Sequence, residues 1–124
     1  MKIFDCFMYF DEDLLLDLRF NILNNYIDKF IIIEAAEDHQ GNKRELKFDI
    51  NKFLKFKEKI KYISLDKIPI DKNIKLKNNW HKGHLRDQSM RNCLGNNLIE
   101  AEPNDWVIIS DLDEIPNPKK INSF

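Results

Sequence analysis

Glycine is almost missing from this 124-residue chain: there are three, Gly41, Gly83 and Gly95. So few, so far apart, exclude a G-x-G-x-x-G turn or a Walker-type phosphate loop. Cysteine is scarcer still. Cys6 and Cys93 are too few for a disulfide framework and show no metal-ligand spacing, which makes a reduced, cytoplasmic setting the expectation. No apolar run approaches the roughly eighteen residues of a membrane span. Asp5 interrupts the amino-terminal apolar stretch, and Asp11, Glu12 and Asp13 follow it, so no secretory leader is expected here. The protein is expected to be soluble, or at most peripheral to a membrane. Net charge is −1 with lysines scattered along the chain, so no basic patch marks a nucleic-acid partner. No G-x-S-x-G and no Cys/His pairing suggests a covalent hydrolase.

What is present suits one α/β domain. A 43% hydrophobic share supports a core, and 33% charged residues support solubility. Ile3 to Phe10 is rich in aromatic and β-favouring residues and predicts a first strand. Asp11-Glu-Asp13 offers a helix cap and acids for the positive end of a helix dipole. Leu14, Leu15, Leu18, Ile22 and Leu23 recur at helical spacing and predict an amphipathic helix to about Tyr26. Phe30 to Ile33 is a second buried strand, followed by a polar loop over 37–42. Residues 43–59 mix two periods and read as an extended piece followed by a short helix. Lys61 to Leu65 predicts a third strand, 66–79 a Lys/Asn-rich connection, and His84 to Glu100 a helix. Trp106 to Ile109 predicts a fourth strand buried on both faces. The order β-α-β-(loop/α)-β-α-β implies a mostly parallel sheet flanked by helices.

The fourth strand runs into Asp111-Leu-Asp113, with Glu114 beside them and Pro116 after. Carboxyl ends of parallel strands are where open α/β sheets bind ligands. Extended backbone would send Asp111 and Asp113 to one side and Leu112 to the other. Two carboxylates held that close repel unless a cation or proton lies between them, and hard oxygen ligands favour Mn²⁺ or Mg²⁺ shared with phosphates. The competing reading is a strand end followed by an acidic turn. Glu34, just past the second strand, would reach the same sheet edge and could accept from a ribose or base; an ordinary solvated acid is the alternative. Arg91 could meet a phosphate bidentately, or pair with Asp87 four residues earlier along a helix. His81 and His84 form an H-x-x-H with no third ligand nearby. Trp80 could stack on a base, or cap the core.

Taken together, Asp5-Cys-Phe-Met8, DEDLLLDLRFNIL, FIIIEAAEDHQG, Trp80 with Arg91-Asn92, and VIISDLDEIP resemble glycosyltransferase family 17. The resemblance covers nearly the whole chain. It implies the nucleotide-binding half of an A-type glycosyltransferase (GT-A) fold and an inverting transfer from a nucleotide sugar to a glycan acceptor. UDP-GlcNAc is the first expected donor and Mn²⁺ or Mg²⁺ the expected cofactor. Asp111 and Asp113 match the family's D-x-D motif. Asp113 is the expected direct metal ligand, and Asp111 the contact to ribose or to a water on the metal. Glu34 matches the acid near the nucleoside, and Arg91 the candidate diphosphate contact. The acceptor half and the catalytic base are expected beyond Phe124, making the chain an amino-terminal part with an open edge that could self-associate. Two alternatives stand beside this: a non-catalytic nucleotide- or metal-binding module, and a haloacid-dehalogenase-like phosphatase, which also carries an apolar strand and D-x-D.

Overall fold

A computed structural model describes residues 2–38, 41–66, 92 and 101–121. Four strands, β1 (Ile3–Met8), β2 (Lys29–Ala35), β3 (Ile60–Leu65) and β4 (Trp106–Ile109), form one sheet in the order β3-β2-β1-β4, every neighbouring pair parallel. The expected α/β sheet is therefore present. Helix α1 (Asp13–Leu23) links β1 to β2, a 3-10 segment (Ile50–Lys59) leads into β3, and a short helix α2 (Pro118–Ile121) follows β4. The helix predicted over 84–100 lies outside the described residues apart from Asn92, which is helical.

Strand alternation sorts the core into two faces. Ile3, Phe7 and Tyr9 of the first strand region and Phe30 and Ile32 of β2 pack under α1 with Leu16, Phe20, Leu23, Phe53 and Phe56. Phe4, Cys6, Met8, Ile31, Ile33 and Ala35 pack on the opposite face. Phe20 is the hub of the first face: its ring lies 4.8 Å from Phe30, 5.3 Å from Phe53 and 5.1 Å from Phe56. The phenylalanine-rich sequence thus builds a core from edge-on and tilted rings. Cys6 is fully buried; burial, with the charge of Asp5 adding to it, pushes its thiol up to about 12.

The structure refines several expectations. Helix α1 buries Leu16, Arg19, Phe20 and Leu23; of the expected stripe Leu23 is buried and Leu15 packs against the core, but Leu14, Leu18 and Ile22 are exposed, Leu14 by 85%. Both stripes have helical spacing; the winning one carries Arg19, whose partner lies on β1. The helix also ends at Leu23, and its N-cap Glu12 makes no side-chain capping bond. Asp13 instead accepts from the Tyr9 hydroxyl and, at 2.9 Å, from Lys52. The short helix expected within 43–59 spans residues 50–59 and is of the 3-10 type, capped by Asp49 accepting from the Asn51 N–H at 2.9 Å. Finally, β4 is the outermost strand of the sheet among the described residues, and Trp106 and Ile109 are 44% and 42% exposed, not buried on both faces.

Two measurements check this packing. In urea unfolding, Leu16→Ala is expected to cost about 2–5 kcal/mol, while Leu14→Ala stays within about 0.5 kcal/mol; equal losses would restore the predicted stripe. Mass mapping after iodoacetamide at pH 8 should find Cys6 unmodified in the native protein and alkylated in urea, because the thiolate is the reactive form.

Candidate functional site

The chain leaves β4 at Ile109 and does not stay extended through the acidic pair. The Glu114 N–H donates to the Asp111 carbonyl at 2.9 Å, closing a turn over Asp111–Glu114. The Glu114 carboxylate accepts from the Asp111 N–H, also at 2.9 Å. Asp111 and Asp113 therefore do not share a side through strand alternation, as the sequence suggested; a turn presents them. Leu112 between them is buried and packs into the α1-side core. That anchor leaves Asp113 exposed and Asp111 half-buried.

One buried cation holds this turn. Arg19, on α1, is fully buried and forms a two-pronged pair with Asp5 of β1: Nε donates at 2.8 Å and Nη2 at 2.6 Å. Nη1 donates to the carbonyls of Asp111, Leu112 and Glu114 at 2.9, 3.2 and 3.1 Å. Nη2 also reaches the Ser110 Oγ at 2.7 Å, and the guanidinium lies 4.7 Å from the Phe7 ring centre. All five guanidinium N–H groups have acceptors in this arrangement. Burial pushes the Asp5 carboxyl above its usual range, against the hydrogen bonds and charge of Arg19, which pull it down.

Asp111, Leu112 and Asp113 line a cleft of about 310 Å³ with Met8, Phe10, Glu12 and Leu15. It lies where the carboxyl ends of β1 and β4 meet the start of α1. Burial lifts the Glu12 carboxyl, a backbone hydrogen bond at Phe10 opposes the lift, and the charge of Asp113 adds to it. Three carboxylates thus border a partly apolar cleft. Among the described residues no three His, Cys, Asp or Glu side chains converge into a ready-made metal cage. Two carboxylates beside a cleft still fit Mg²⁺ or Mn²⁺, which bind through one or two carboxylates, keep waters and complete their shell with substrate phosphate oxygens.

Glu34 sits elsewhere than an open edge. It is fully buried, and its oxygens accept from Arg44 Nη1 (2.9 Å), the Lys47 N–H (2.8 Å), the Phe48 N–H (3.1 Å) and the Tyr62 hydroxyl (2.7 Å). Burial raises the Tyr62 hydroxyl, and the hydrogen bond to Glu34 adds to the rise. In this conformation Glu34 fastens the segment 44–48 onto β2 and β3. Arg44 extends that network to the cleft, its guanidinium 5.4 Å from the ring centre of the lining residue Phe10. Arg91, Trp80, His81 and His84 lie outside the described residues.

The profile of glycosyltransferase family 17 matches residues 1–124. The chain belongs to glycosyltransferase family 17. Curated relatives of the family carry the name beta-1,4-mannosyl-glycoprotein 4-beta-N-acetylglucosaminyltransferase. The human protein is 31% identical over 110 residues, covering 82% of this chain and 19% of the relative. The rat protein has the same identity and coverage, and the mouse protein is 30% identical over the same length. This family 17 chain therefore spans about a fifth of the length of those relatives (19%). No solved structure matches it.

Sequence reasoning missed Asp5, Arg19, Ser110 and Glu12. A signal for the first two existed: Asp5 interrupts an apolar strand, and Arg19 falls three residues after Leu16 and one before Phe20 on a helical stripe. Each is a charge where the pattern demands an apolar residue, and together they neutralise.

Breaking the pair should be costly. Asp5→Asn leaves a buried guanidinium uncompensated, and the expected loss in urea unfolding is about 3–5 kcal/mol. The double variant Asp5→Leu/Arg19→Met should stay destabilised, since the turn loses the guanidinium's hydrogen bonds to three carbonyls and Ser110. Recovery to wild-type stability would mean the contacts to the turn contribute little.

Proposed function

We propose that the cleft beside the Asp111–Glu114 turn binds the diphosphate of a nucleotide sugar with a divalent cation, as the donor-binding part of an inverting glycosyltransferase. UDP-GlcNAc is the donor the relatives' name favours, and the acceptor is a glycan. The observation that carries the reading is the pair Asp111 and Asp113 lining one cleft at the carboxyl end of a parallel sheet. Such a position suits ligand binding in open α/β sheets, and the nucleotide-binding part of a GT-A fold is the architecture this reading implies.

Asp113 and Asp111 would hold the Mn²⁺ or Mg²⁺. The cation, when bound, supplies positive charge against the charge developing on the leaving nucleoside diphosphate. The chain's own residues supply placement. The turn fixes where the two carboxylates start, and Leu112 fixes the turn to the core. Met8, Phe10, Leu15 and Leu112 form an apolar wall that limits water on one side of the cleft. Arg91 is the proposed diphosphate contact. Glu34, in this reading, supports the Phe10 side of the cleft through Arg44, and a direct contact to the nucleoside would require it to give up one of its present donors. The general base on the acceptor hydroxyl is not assigned to any residue of this chain.

Isothermal titration of UDP, UDP-GlcNAc and GDP-mannose in the presence of Mn²⁺ tests the reading. Mn²⁺-dependent binding of the uridine ligands, lost in Asp113→Ala, is the expected result. Binding that ignores Mn²⁺, or survives Asp113→Ala unchanged, would sink the metal role of the D-x-D. Donor binding without transfer to any glycan would restrict this chain to donor binding.

A further inference from the structure

We propose that Arg19 is a positioning residue for the cation site: anchored by Asp5, its guanidinium sets the conformation of the Asp111–Glu114 turn and thereby the affinity of Asp111 and Asp113 for a divalent cation. The affinity part rests on the reading of the site given above; the turn-fixing part does not.

Carbonyls of Asp111, Leu112 and Glu114 all point at the one Nη1 atom. A carbonyl direction restrains its peptide plane, because the C=O lies in the planar peptide unit. The planes on both sides of Leu112 and the one after Glu114 are thus referred to a single rigid group. Each of Asp111 and Asp113 borders one of those restrained planes, so the directions in which they leave the backbone are restrained with them. Ser110, the residue entering the turn, is held by the same guanidinium at 2.7 Å and donates onward to the Glu114 carbonyl at 3.2 Å.

Charge adds a second reason. A turn carrying Asp111, Asp113 and Glu114 repels itself as it tightens. Asp5 already balances the charge of Arg19, so the guanidinium serves the turn chiefly through directed N–H groups. That makes the planar fork, and not positive charge alone, the feature that matters. Lysine has three donors on one nitrogen and cannot reach two Asp5 oxygens, Ser110 and three carbonyls together.

The anchor also has a rigid origin. Asp5 lies in the central part of the sheet, in register with Phe30 on one side and Ile108 on the other. Ser110 N–H donates to the Cys6 carbonyl at 3.3 Å, so β1 holds the turn directly as well as through Arg19. Residues that orient a metal ligand without touching the metal commonly change affinity by about 10–100-fold when altered.

The test uses Arg19→Lys and Ser110→Ala in the full chain, with Leu14→Ala as an exposed control. Urea unfolding first establishes the folded fraction of each. Mn²⁺ affinity is then read by titration monitored by electron paramagnetic resonance, and amide hydrogen exchange is read at Asp111 and Glu114. The expected result is Mn²⁺ binding about 10–100-fold weaker in folded Arg19→Lys and a smaller loss in Ser110→Ala. Amide exchange at Asp111 and Glu114 should quicken in both, with the amides of β2 unchanged. Wild-type affinity and wild-type exchange at the turn in folded Arg19→Lys would overturn the proposal. If Arg19→Lys does not fold, Ser110→Ala alone decides on the same two readouts. Absence of Mn²⁺ binding by the wild type would overturn the metal reading and the affinity part with it, and the exchange measurement would still decide whether Arg19 fixes the turn.

Discussion

A guanidinium with no exposed surface, paired with a carboxylate with none, is the constraint around which this domain is arranged. Burying such a pair carries a desolvation cost that its mutual attraction repays only when the geometry is good and the remaining hydrogen-bonding groups are satisfied. Here both conditions hold. Asp5 takes two of the guanidinium's donors, and the remaining ones go to Ser110 and to the carbonyls of Asp111, Leu112 and Glu114 in the turn that follows β4. Three pieces distant in sequence meet at Arg19: the central strand, the first helix and the acidic turn.

This interaction also orients the helix. Once Arg19 must face Asp5, its neighbours at helical spacing, Leu16, Phe20 and Leu23, are committed to the core, and Phe20 becomes the centre of an aromatic cluster reaching Phe30, Phe53 and Phe56. Leu14 and Leu18 are left outside although they are as apolar as the residues that win. A second buried charge plays the corresponding part on the other side of β2. Glu34 gathers Arg44, two backbone N–H groups and the Tyr62 hydroxyl, which fixes an irregular stretch of chain against the sheet. Both buried charges thus hold irregular backbone onto regular strands, and both networks border the cleft, one through the D-x-D turn and one through Phe10.

Much of the fold was legible along the chain. The stretches Ile3–Phe10, Phe30–Ile33 and Lys61–Leu65 hold the strands β1, β2 and β3, because short runs rich in apolar and β-favouring residues between polar breaks have few other uses. The parallel order followed from the helix between the first two strands. The family was legible too, since several motifs recur in the right sequence order. Less of the site could be read. Glu34 beside a strand end looks the same whether its carboxylate faces a ligand or four donors of its own protein. The run Trp106–Ile109 looks the same at a sheet centre and at an edge.

The sequence by itself determined the strands, the parallel α/β class and the placing of two carboxylates just past the fourth strand, because these depend on local composition and on spacing along a few residues. Tertiary structure decided which face of α1 is buried, where Glu34 points, and that Asp111 and Asp113 emerge from a turn and not from an extended strand. The reason is the range of the interactions. Arg19 meets Asp5 across 14 residues and the carbonyl of Leu112 across 93. No periodicity within a helix or a strand encodes a contact of that separation; only the folded chain brings a single guanidinium within reach of all of them.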